Sequence, residues 1–310
     1  MDSRQLRYFV AIYEQRNLSR AADLCGVAQS ALSHHIGNLE AEFATPLFMR
    51  KPRGMQPTAA GERLYQHAKA ILRAMATAER DIRLANEDIS GEVSVGMAYS
   101  AVKAIGLPFM KTVLETYPKV KMSLTESLSA STLMHLMAAE VDIALVYNPP
   151  MDPQLGTEPV LEEQMVCVGR RSIIGDTDEP IRFDELLTLP IILLRQGVSS
   201  RALLDDVGLL RKLEANAKLQ MNSVHAIAGA LIAGLGCVIG TTLFMREALE
   251  SGELHARVIS EPTLTRTLYL CHLADRPATF LSETMRRLIL GLVQAEITAG
   301  RWAARSLMQG

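Results

Sequence analysis

The chain has 310 residues, of which 48% are hydrophobic and 21% are charged. This composition excludes a disordered chain, and this length exceeds that of a domain with one ordinary compact core. No charge-free apolar stretch reaches the roughly 18–20 residues of a membrane span, and the N-terminus lacks the apolar core of a signal peptide, so we expect a cytoplasmic protein without a membrane partner. The net charge of −2 argues against a nucleic-acid binder only if the charge is evenly spread.

The charge is not evenly spread. Residues 1–83 hold 12 Lys and Arg against 8 Asp and Glu, whereas residues 84–310 hold 20 against 26. A mildly basic N-terminal region is compatible with DNA binding at one end of the molecule. The four cysteines lie far apart in apolar segments, so we expect reduced thiols and neither disulfides nor a metal site. They are Cys25, Cys167, Cys237 and Cys271.

Helical spacing of apolar residues predicts a first helix over 4–14. A second is predicted over 18–25, where either Asn17 or Ser19 is able to cap it. It ends before Gly26, which suits the left-handed C-terminal position. After a turn of about three residues, a third helix is predicted over 29–43. Short helices joined by such a turn are typical of a helix-turn-helix.

Segment 46–58 contains Pro, Gly and basic residues, which favours a small β-wing. Thr58 is predicted to cap a long helix over 59–87. Its apolar stripe extends roughly 40 Å at 1.5 Å per residue, so we expect it to pair with a second copy of itself.

After Gly91 the pattern changes to short strands alternating with helices. Strands are predicted at 92–98, 119–126, 143–147, 165–169, 190–194, 218–221 and 237–240. Helices are expected near 107, at 132–139, from about 200 and from about 223. This alternation predicts an α/β region with mostly parallel strands and both sheet faces covered.

The N-terminal segment LRYFVAIYEQRNLSRAADLCGVAQSALSHHIGNLEAEFATPLFMRKPRGMQPTAAGERL resembles the DNA-binding domain of LysR-type transcription regulators. The shared order is AA, VAQSALS, LE, PLFxR and TxAGExL. The segments YPKVKMSLTES, AAEVDIALVYNPP and IAGLGCVIG resemble the effector domain of the same family, in detail a nitrogen-assimilation-type subgroup. The resemblance covers essentially the whole chain.

The resemblance implies an all-α winged helix-turn-helix, a long linker helix and a two-lobed, periplasmic-binding-protein-like α/β effector domain. The implied boundaries are 1–58, 59–90 and 91–310, with lobe I at about 91–162 and 267–310 and lobe II at about 163–266. The implied partners are double-stranded DNA carrying an interrupted inverted repeat, a small-molecule effector, further copies of the chain with a dimer of dimers favoured over a dimer, and RNA polymerase. No cofactor is implied, and activation and repression stay open.

DNA-reading residues are expected at the start of the third helix, which in a helix-turn-helix enters the major groove. Gln29 can make two hydrogen bonds with adenine, Ser33 can bond several bases or a phosphate, and His34 can donate to guanine or phosphate. The family often has Pro at position 30 and Arg or Gln at positions 34 and 35, where this chain has Ser30, His34 and His35. This departure argues against direct base reading by arginine and implies a different operator preference. Phosphate contacts are expected from Arg20, Arg50, Lys51, Arg53 and Thr58.

Effector-binding residues are expected where loops after the strand C-termini converge between the lobes. These are Ser100, Ala101, Val102, Ser129, Tyr147, Asn148, Gln196, Val198, Ser199 and His225. The resemblance supports Ser100, Ser129 and Ser199 most directly. Because helix N-termini favour anions, we expect a small carboxylate, with Arg195 able to assist. The alternative is that these serines are helix caps, that Arg195 faces solvent and that His225 is structural.

Other functions fit less well. A solute-binding protein without a genetic role would not explain the first 90 residues. We find no Gly-rich phosphate loop, nucleophile elbow or metal-spaced set, so we expect no enzyme activity. Adjacent histidines diverge by about 100° on a helix, which argues against a metal at 34–35. Thiols within apolar strands argue against a redox switch. We expect the effector to close the lobes about segments 147–163 and 263–268 and so change DNA bending.

Overall fold

The computed structural model describes residues 1–51, 54–83, 89–194, 206–276 and 278–308. Within its helices and strands, the side chains of Arg50, Arg73 and 77–83 lie outside this description. The chain divides into two compact units, Met1–Glu87 and Asp88–Gly310. Among the described residues, none of the helices combines the length and the apolar character needed to cross a bilayer.

The N-terminal unit begins with three helices, α1 (Ser3–Gln15), α2 (Leu18–Cys25) and α3 (Gln29–Glu42). Local chemistry sets their ends. Asn17 caps α2 by accepting from the N–H of Arg20 at 3.1 Å, and Gly26 follows it at a left-handed φ of 64°. Both features confirm the sequence prediction. The helices enclose a core that includes Leu6, Phe9, Ile12, Leu32, Ile36 and Leu39.

A two-stranded wing follows, formed by antiparallel β1 (Phe48–Lys51) and β2 (Gly54–Pro57). The wing is attached to the end of α1, because Met55 N–H donates to the carbonyl of Arg16 at 2.8 Å. Gly54 is required there, since its φ is 120° and a Cβ would collide with that carbonyl. Thr58 caps α4 (Ala59–Arg83) through the N–H of Gly61 at 3.1 Å, as predicted. The predicted end of α4, near residue 87, lies outside the described residues.

The C-terminal unit combines helices and strands. Its helices are α5 (Tyr99–Ala101), a π-helical turn (Val102–Gly106), α6 (Leu107–Thr116), α7 (Ser129–Met137), α8 (Arg171–Ile174), α9 (Phe183–Leu186), α10 (Val207–Asn216), α11 (Val224–Ile232), α12 (Arg246–Glu250) and α13 (Phe280–Thr298). Its strands are β3 (Gly91–Ala98), β4 (Val120–Ser127), β5 (Ile143–Tyr147), β6 (Leu155–Gln164), β7 (Val166–Gly169), β8 (Ile181–Arg182), β9 (Ile192–Leu194), β10 (Leu219–Met221), β11 (Cys237–Gly240), β12 (His255–Ser260), β13 (Thr265–Leu273) and β14 (Ala304–Ser306).

Two sheets form the centres of this unit. One has the order β14-β6-β13-β5-β3-β4 and the other β11-β7-β12-β8, with β9 and β10 paired separately. The chain passes from the first sheet to the second between β6 and β7, and returns between β12 and β13. Each sheet has its own buried apolar clusters. These two crossings therefore join two separately cored halves.

The expectation of mostly parallel strands is wrong. β13 pairs antiparallel with β5 and β6, and β7 pairs antiparallel with β11 and β12, while β3 is parallel to β4 and β5. The sequence does not predict the long strands β6 and β13, because charged and polar residues interrupt both of them. β6 precedes the first crossing between the sheets and β13 follows the second. Both strands pair antiparallel with neighbours in their sheet, so that sheet contains parallel and antiparallel pairs.

Candidate functional site

The start of α3 presents an exposed polar surface. Gln29, Ser30 and His34 are exposed, whereas Ser33 is half-buried. The opposite face of α3 buries Leu32, Ile36 and Leu39. The apolar stripe therefore fixes which face of the helix turns outward, and the predicted DNA-reading residues lie on or beside that face.

Local hydrogen bonds hold two of these side chains. Ser19 Oγ on α2 donates to Gln29 Oε1 at 3.0 Å, which ties the start of α3 to the preceding helix. His34 Nε2 lies 3.2 Å from Asn38 Nδ2, one helical turn further on. His35 instead packs against Tyr8, with ring centroids 5.1 Å apart. The two neighbouring histidines therefore have different surroundings.

The predicted phosphate contacts divide into three groups. Arg20 and Lys51 are exposed on α2 and β1. Thr58 is occupied within the fold, since its hydroxyl donates to the carbonyl of Pro46 at 2.8 Å and caps α4. Arg53 and the side chain of Arg50 lie outside the described part of the chain.

In the C-terminal unit, two helix N-termini start at the same sheet edge. β3 and β4 are parallel neighbours, with Ala98 opposite Ser127, and they lead into α5 and α7 respectively. The short α5 continues without a break through the π-helical turn into α6, so it begins one helical segment over 99–116. Neither N-terminus has a side-chain hydrogen bond from its N-cap residue. Unpaired backbone N–H groups carry partial positive charge, so this edge favours an anion.

Ser100 and Ser129 lie in the first turns of these helices and are buried. Neither acts as a cap. Ser129 Oγ accepts from the N–H of Tyr147 at 3.1 Å, and Ser100 Oγ accepts from Arg266 at 3.0 Å. The alternative that a serine of this region is a helix cap applies instead to Ser223, whose Oγ accepts from the N–H of Ala226 at 3.2 Å and caps α11.

Arg266 on β13 connects both halves of the unit. Its Nε donates to Glu163 Oε2 at 2.9 Å, while Nη2 donates to Ser100 in the first half and, at 3.4 Å, to Thr241 in the second. Trp302 Nε1 donates to the other oxygen of Glu163 at 2.6 Å. Both members of the ion pair are buried. Sequence reasoning missed Arg266, Glu163, Thr241 and Trp302.

Tyr147 lies against this cluster. Its ring packs on the Arg266 guanidinium, whose carbon is 3.6 Å from the ring centroid. The phenol oxygen is buried beside Glu163 and Ser100, yet it forms no hydrogen bond of normal geometry with any described residue. Burial raises the pKa of Tyr147 well above its ordinary value. The phenol therefore stays protonated at neutral pH, with Glu163 and Ser100 beside it but no hydrogen bond of normal geometry to any described residue.

The other predicted effector residues are not gathered at this point. Asn148, with a left-handed φ of 42°, joins β5 to β13, because its Oδ1 accepts from the N–H of Thr267 at 2.9 Å. Ala101 is fully buried in the apolar core, and Val102 packs against the same core. His225 is exposed at the start of α11. Gln196, Val198 and Ser199, with Arg195, lie outside the described residues.

Two of the buried thiols, Cys167 and Cys271, are poorly suited to redox sensing. Hydrogen bonding to Cys237 and burial raise the pKa of Cys167 well above its ordinary value, and burial raises the pKa of Cys271 to about 12. Thiolate is the reactive form of cysteine. Among the described residues, no cluster of three or more His, Cys, Asp or Glu side chains is arranged to hold a metal ion.

Comparison with known proteins gives matches over both units. The model of the family described as "Bacterial regulatory helix-turn-helix protein, lysR family" matches residues 3–62, and that of the "LysR substrate binding domain" matches residues 86–294. The chain is 29% identical to the nitrogen assimilation regulatory protein nac of Klebsiella aerogenes, over 94% of this chain and 95% of that protein. It is 30% identical to the transcriptional regulator YofA of Bacillus velezensis, over 76% and 79% of the two chains.

Solved structures share the fold. A full-length variant of OxyR from Pseudomonas aeruginosa aligns with a TM-score of 0.70 at 20% identity, over 95% of both chains. Full-length CbnR in complex with its target DNA aligns with a TM-score of 0.61 at 20% identity, over 95% of this chain and 99% of that one. The likeness extends over nearly the full length of each chain.

Proposed function

Because the chain belongs to the LysR family of transcription regulators, with a helix-turn-helix and an effector-binding domain, we propose that its effector is a small carboxylate bound between the two halves of the C-terminal unit. The proteins it resembles are named as transcriptional regulators or as a nitrogen assimilation regulatory protein, and none of these three is named as an enzyme. Regulation of transcription, not catalysis, is therefore its activity.

Two observations support the choice of an anion. The uncapped N-termini of α5 and α7 start side by side. The buried Tyr147 phenol lies next to Ser100 and forms no hydrogen bond of normal geometry with any residue that the structure describes. A carboxylate accepts hydrogen bonds from backbone N–H groups and from hydroxyls. A carboxylate at this edge would therefore be an acceptor for both the helix N-termini and the phenol.

For DNA, the proposal assigns base contacts to Gln29, Ser30, Ser33 and His34. Their position on the outward side of α3, above a buried apolar stripe, supports this assignment. The residues proposed to contact phosphates are Arg20, Arg50, Lys51, Arg53 and Thr58. Thr58 is the weakest candidate, because its hydroxyl already donates to backbone carbonyls and accepts from the N–H of Gly61. The division into 1–58, 59–90 and 91–310, with lobes at 91–162 and 267–310 and at 163–266, is part of the same proposal.

Assembly and coupling complete the proposal. Two copies bind an interrupted inverted repeat through two α3 helices, α4 joins the copies, and dimers associate into a dimer of dimers that engages RNA polymerase. Effector binding closes the lobes about 147–163 and 263–268, which alters dimer packing and DNA bending. Bending depends on DNA sequence and costs free energy, so it links ligand to operator.

The first test is in-vitro selection of DNA fragments by the purified full-length protein at two salt concentrations, because phosphate contacts make affinity salt-dependent. We expect enrichment of an interrupted inverted repeat, lost when Gln29 and Ser33 are both replaced by alanine. Gln220→Ala, an exposed glutamine of the C-terminal unit, is the matched control. Salt-sensitive binding without enrichment would contradict base reading by α3.

A further inference from the structure

A buried carboxylate is connected to the proposed anion site through one arginine. Ser100, in the first turn of α5, is bonded to Arg266 at 3.0 Å, and Arg266 is bonded to Glu163 at 2.8–2.9 Å. Only the guanidinium therefore separates Glu163 from the helix N-terminus that would hold an anion. Glu163 is 1% exposed, so water does little to screen its charge.

Arg266 does not provide spare positive charge for the effector, because Glu163 already neutralises it. Lys103, in the π-helical turn after α5, is likewise paired with Glu247 at 2.7 Å. Among the described residues of this cluster, the remaining positive potential comes from the ends of the helices, each equivalent to about half an elementary charge. Two such ends balance roughly one negative charge.

The Tyr147 phenol, for which the described part of the chain offers no hydrogen bond of normal geometry, indicates what else the ligand carries. Tyr147 Oη is a buried donor beside Ser100 and Glu163. A second carboxylate placed to accept this proton would lie against the Glu163 carboxylate and be repelled. A hydroxyl, keto or amide oxygen accepts the same hydrogen bond without that repulsion.

We propose that Glu163 limits the effector to a single negative charge, so that the cleft selects a monocarboxylate bearing a neutral hydrogen-bond acceptor and rejects the corresponding dicarboxylate. This inference rests on the proposed carboxylate site. Two unit charges about 12 Å apart at an effective dielectric constant near 20 change affinity by about tenfold, and a closer pair changes it by more.

The probes are pairs of ligands that differ by one charge and little else. Succinate and glutarate are compared with their monoamides, succinamate and glutaramate, by isothermal titration calorimetry of the full-length protein at neutral pH. The wild-type protein should bind each monoamide about tenfold more tightly than its dicarboxylate. Tighter binding of the dicarboxylates would overturn the inference, and this measurement needs no variant.

Variants then assign the preference to Glu163. In Glu163→Gln the site gains one unit of positive charge, so the preference for the monoamide should disappear or reverse. In the double variant Glu163→Gln/Arg266→Gln the net charge is again that of the wild type, and the preference should return. Glu185→Gln, which alters an ion pair with Arg257 at 3.3 Å, is the matched control and should leave the ratio unchanged.

The outcomes separate the two proposals. If monoamides and dicarboxylates all bind but Glu163→Gln leaves their ratio unchanged, the charge limit is wrong and the carboxylate site stands. If no carboxylate binds the wild-type protein, the proposed carboxylate site is wrong and the charge limit falls with it.

Discussion

The outward surface of α3 and the buried cluster around Arg266 differ in the burial of their polar side chains and in the sequence separation of the residues that those side chains bond. On α3 the polar side chains are exposed and bond to neighbours 4 to 10 residues away. Around Arg266 they are buried and include bonds between residues 139 and 166 positions apart in sequence. An exposed group exchanges a protein partner for water at little cost, whereas a buried one does not. Changes on α3 should therefore alter specificity, and changes around Arg266 should alter specificity and stability together.

The largest expected effect is that of Arg266→Met. It leaves Glu163 buried without its cation, which costs about 3–5 kcal/mol. Chemical denaturation of the full-length protein should show this loss in the C-terminal unit. The double variant Glu163→Met/Arg266→Met removes both charges and should recover most of the lost stability. If Arg266→Met alone were as stable as the wild type, the proposed difference in stability cost between the buried cluster and the surface of α3 would be wrong.

Ser129→Trp should abolish the response to carboxylates while leaving DNA affinity intact. An indole in the first turn of α7 fills the space where the anion would sit, and overpacking costs about 1–3 kcal/mol. Thermal shifts with succinamate report the first effect and operator titration the second. Loss of both would count against the placement of the effector at this sheet edge.

Gln29→Ala sharpens the comparison from the other side. The variant should lose about 1–3 kcal/mol of its binding preference for the operator over an operator changed at one base pair. Its free energy of unfolding should change by no more than about 0.5 kcal/mol. Competition titrations with single-base operator variants make this measurement. Equal loss on every DNA sequence would mean that Gln29 does not read a base.

The smallest effect is expected for Arg20→Ala. An exposed arginine on α2 that contacts a phosphate should weaken binding to all sequences alike, and should reduce the slope of log affinity against log salt by about one. Measuring affinity over a series of salt concentrations tests this expectation. A change in sequence preference would instead indicate a base contact.

The same contrast explains how far the sequence could predict the molecule. Asn17, Gly26 and Thr58 act within a few residues of their own positions, so the helix ends around them were predictable. Ser100, Ser129 and Tyr147 follow or end strands, which is why the sequence indicates them as site residues. Their partners were not predictable, because Glu163 and Arg266 lie in strands β6 and β13, whose charged residues obscure the alternation of a buried strand.

Strand direction was also beyond local reasoning. A helix between two strands suggests a parallel crossover, but β13 returns antiparallel to β5 and β6, and only long-range pairing determines this. Trp302 illustrates the same limit, since its bond to Glu163 spans 139 residues. Nothing adjacent to it in sequence indicates a connection to the cleft.

The bond between Trp302 and Glu163 makes the intrinsic tryptophan fluorescence of the protein a probe of this cluster. The chain contains one tryptophan, and its indole N–H donates to the carboxylate that is paired with Arg266. Indole emission responds to nearby charge and hydrogen bonding, so any rearrangement of the Glu163–Arg266 pair should change the colour or intensity of the fluorescence. Ligand binding can then be followed in real time without an added dye.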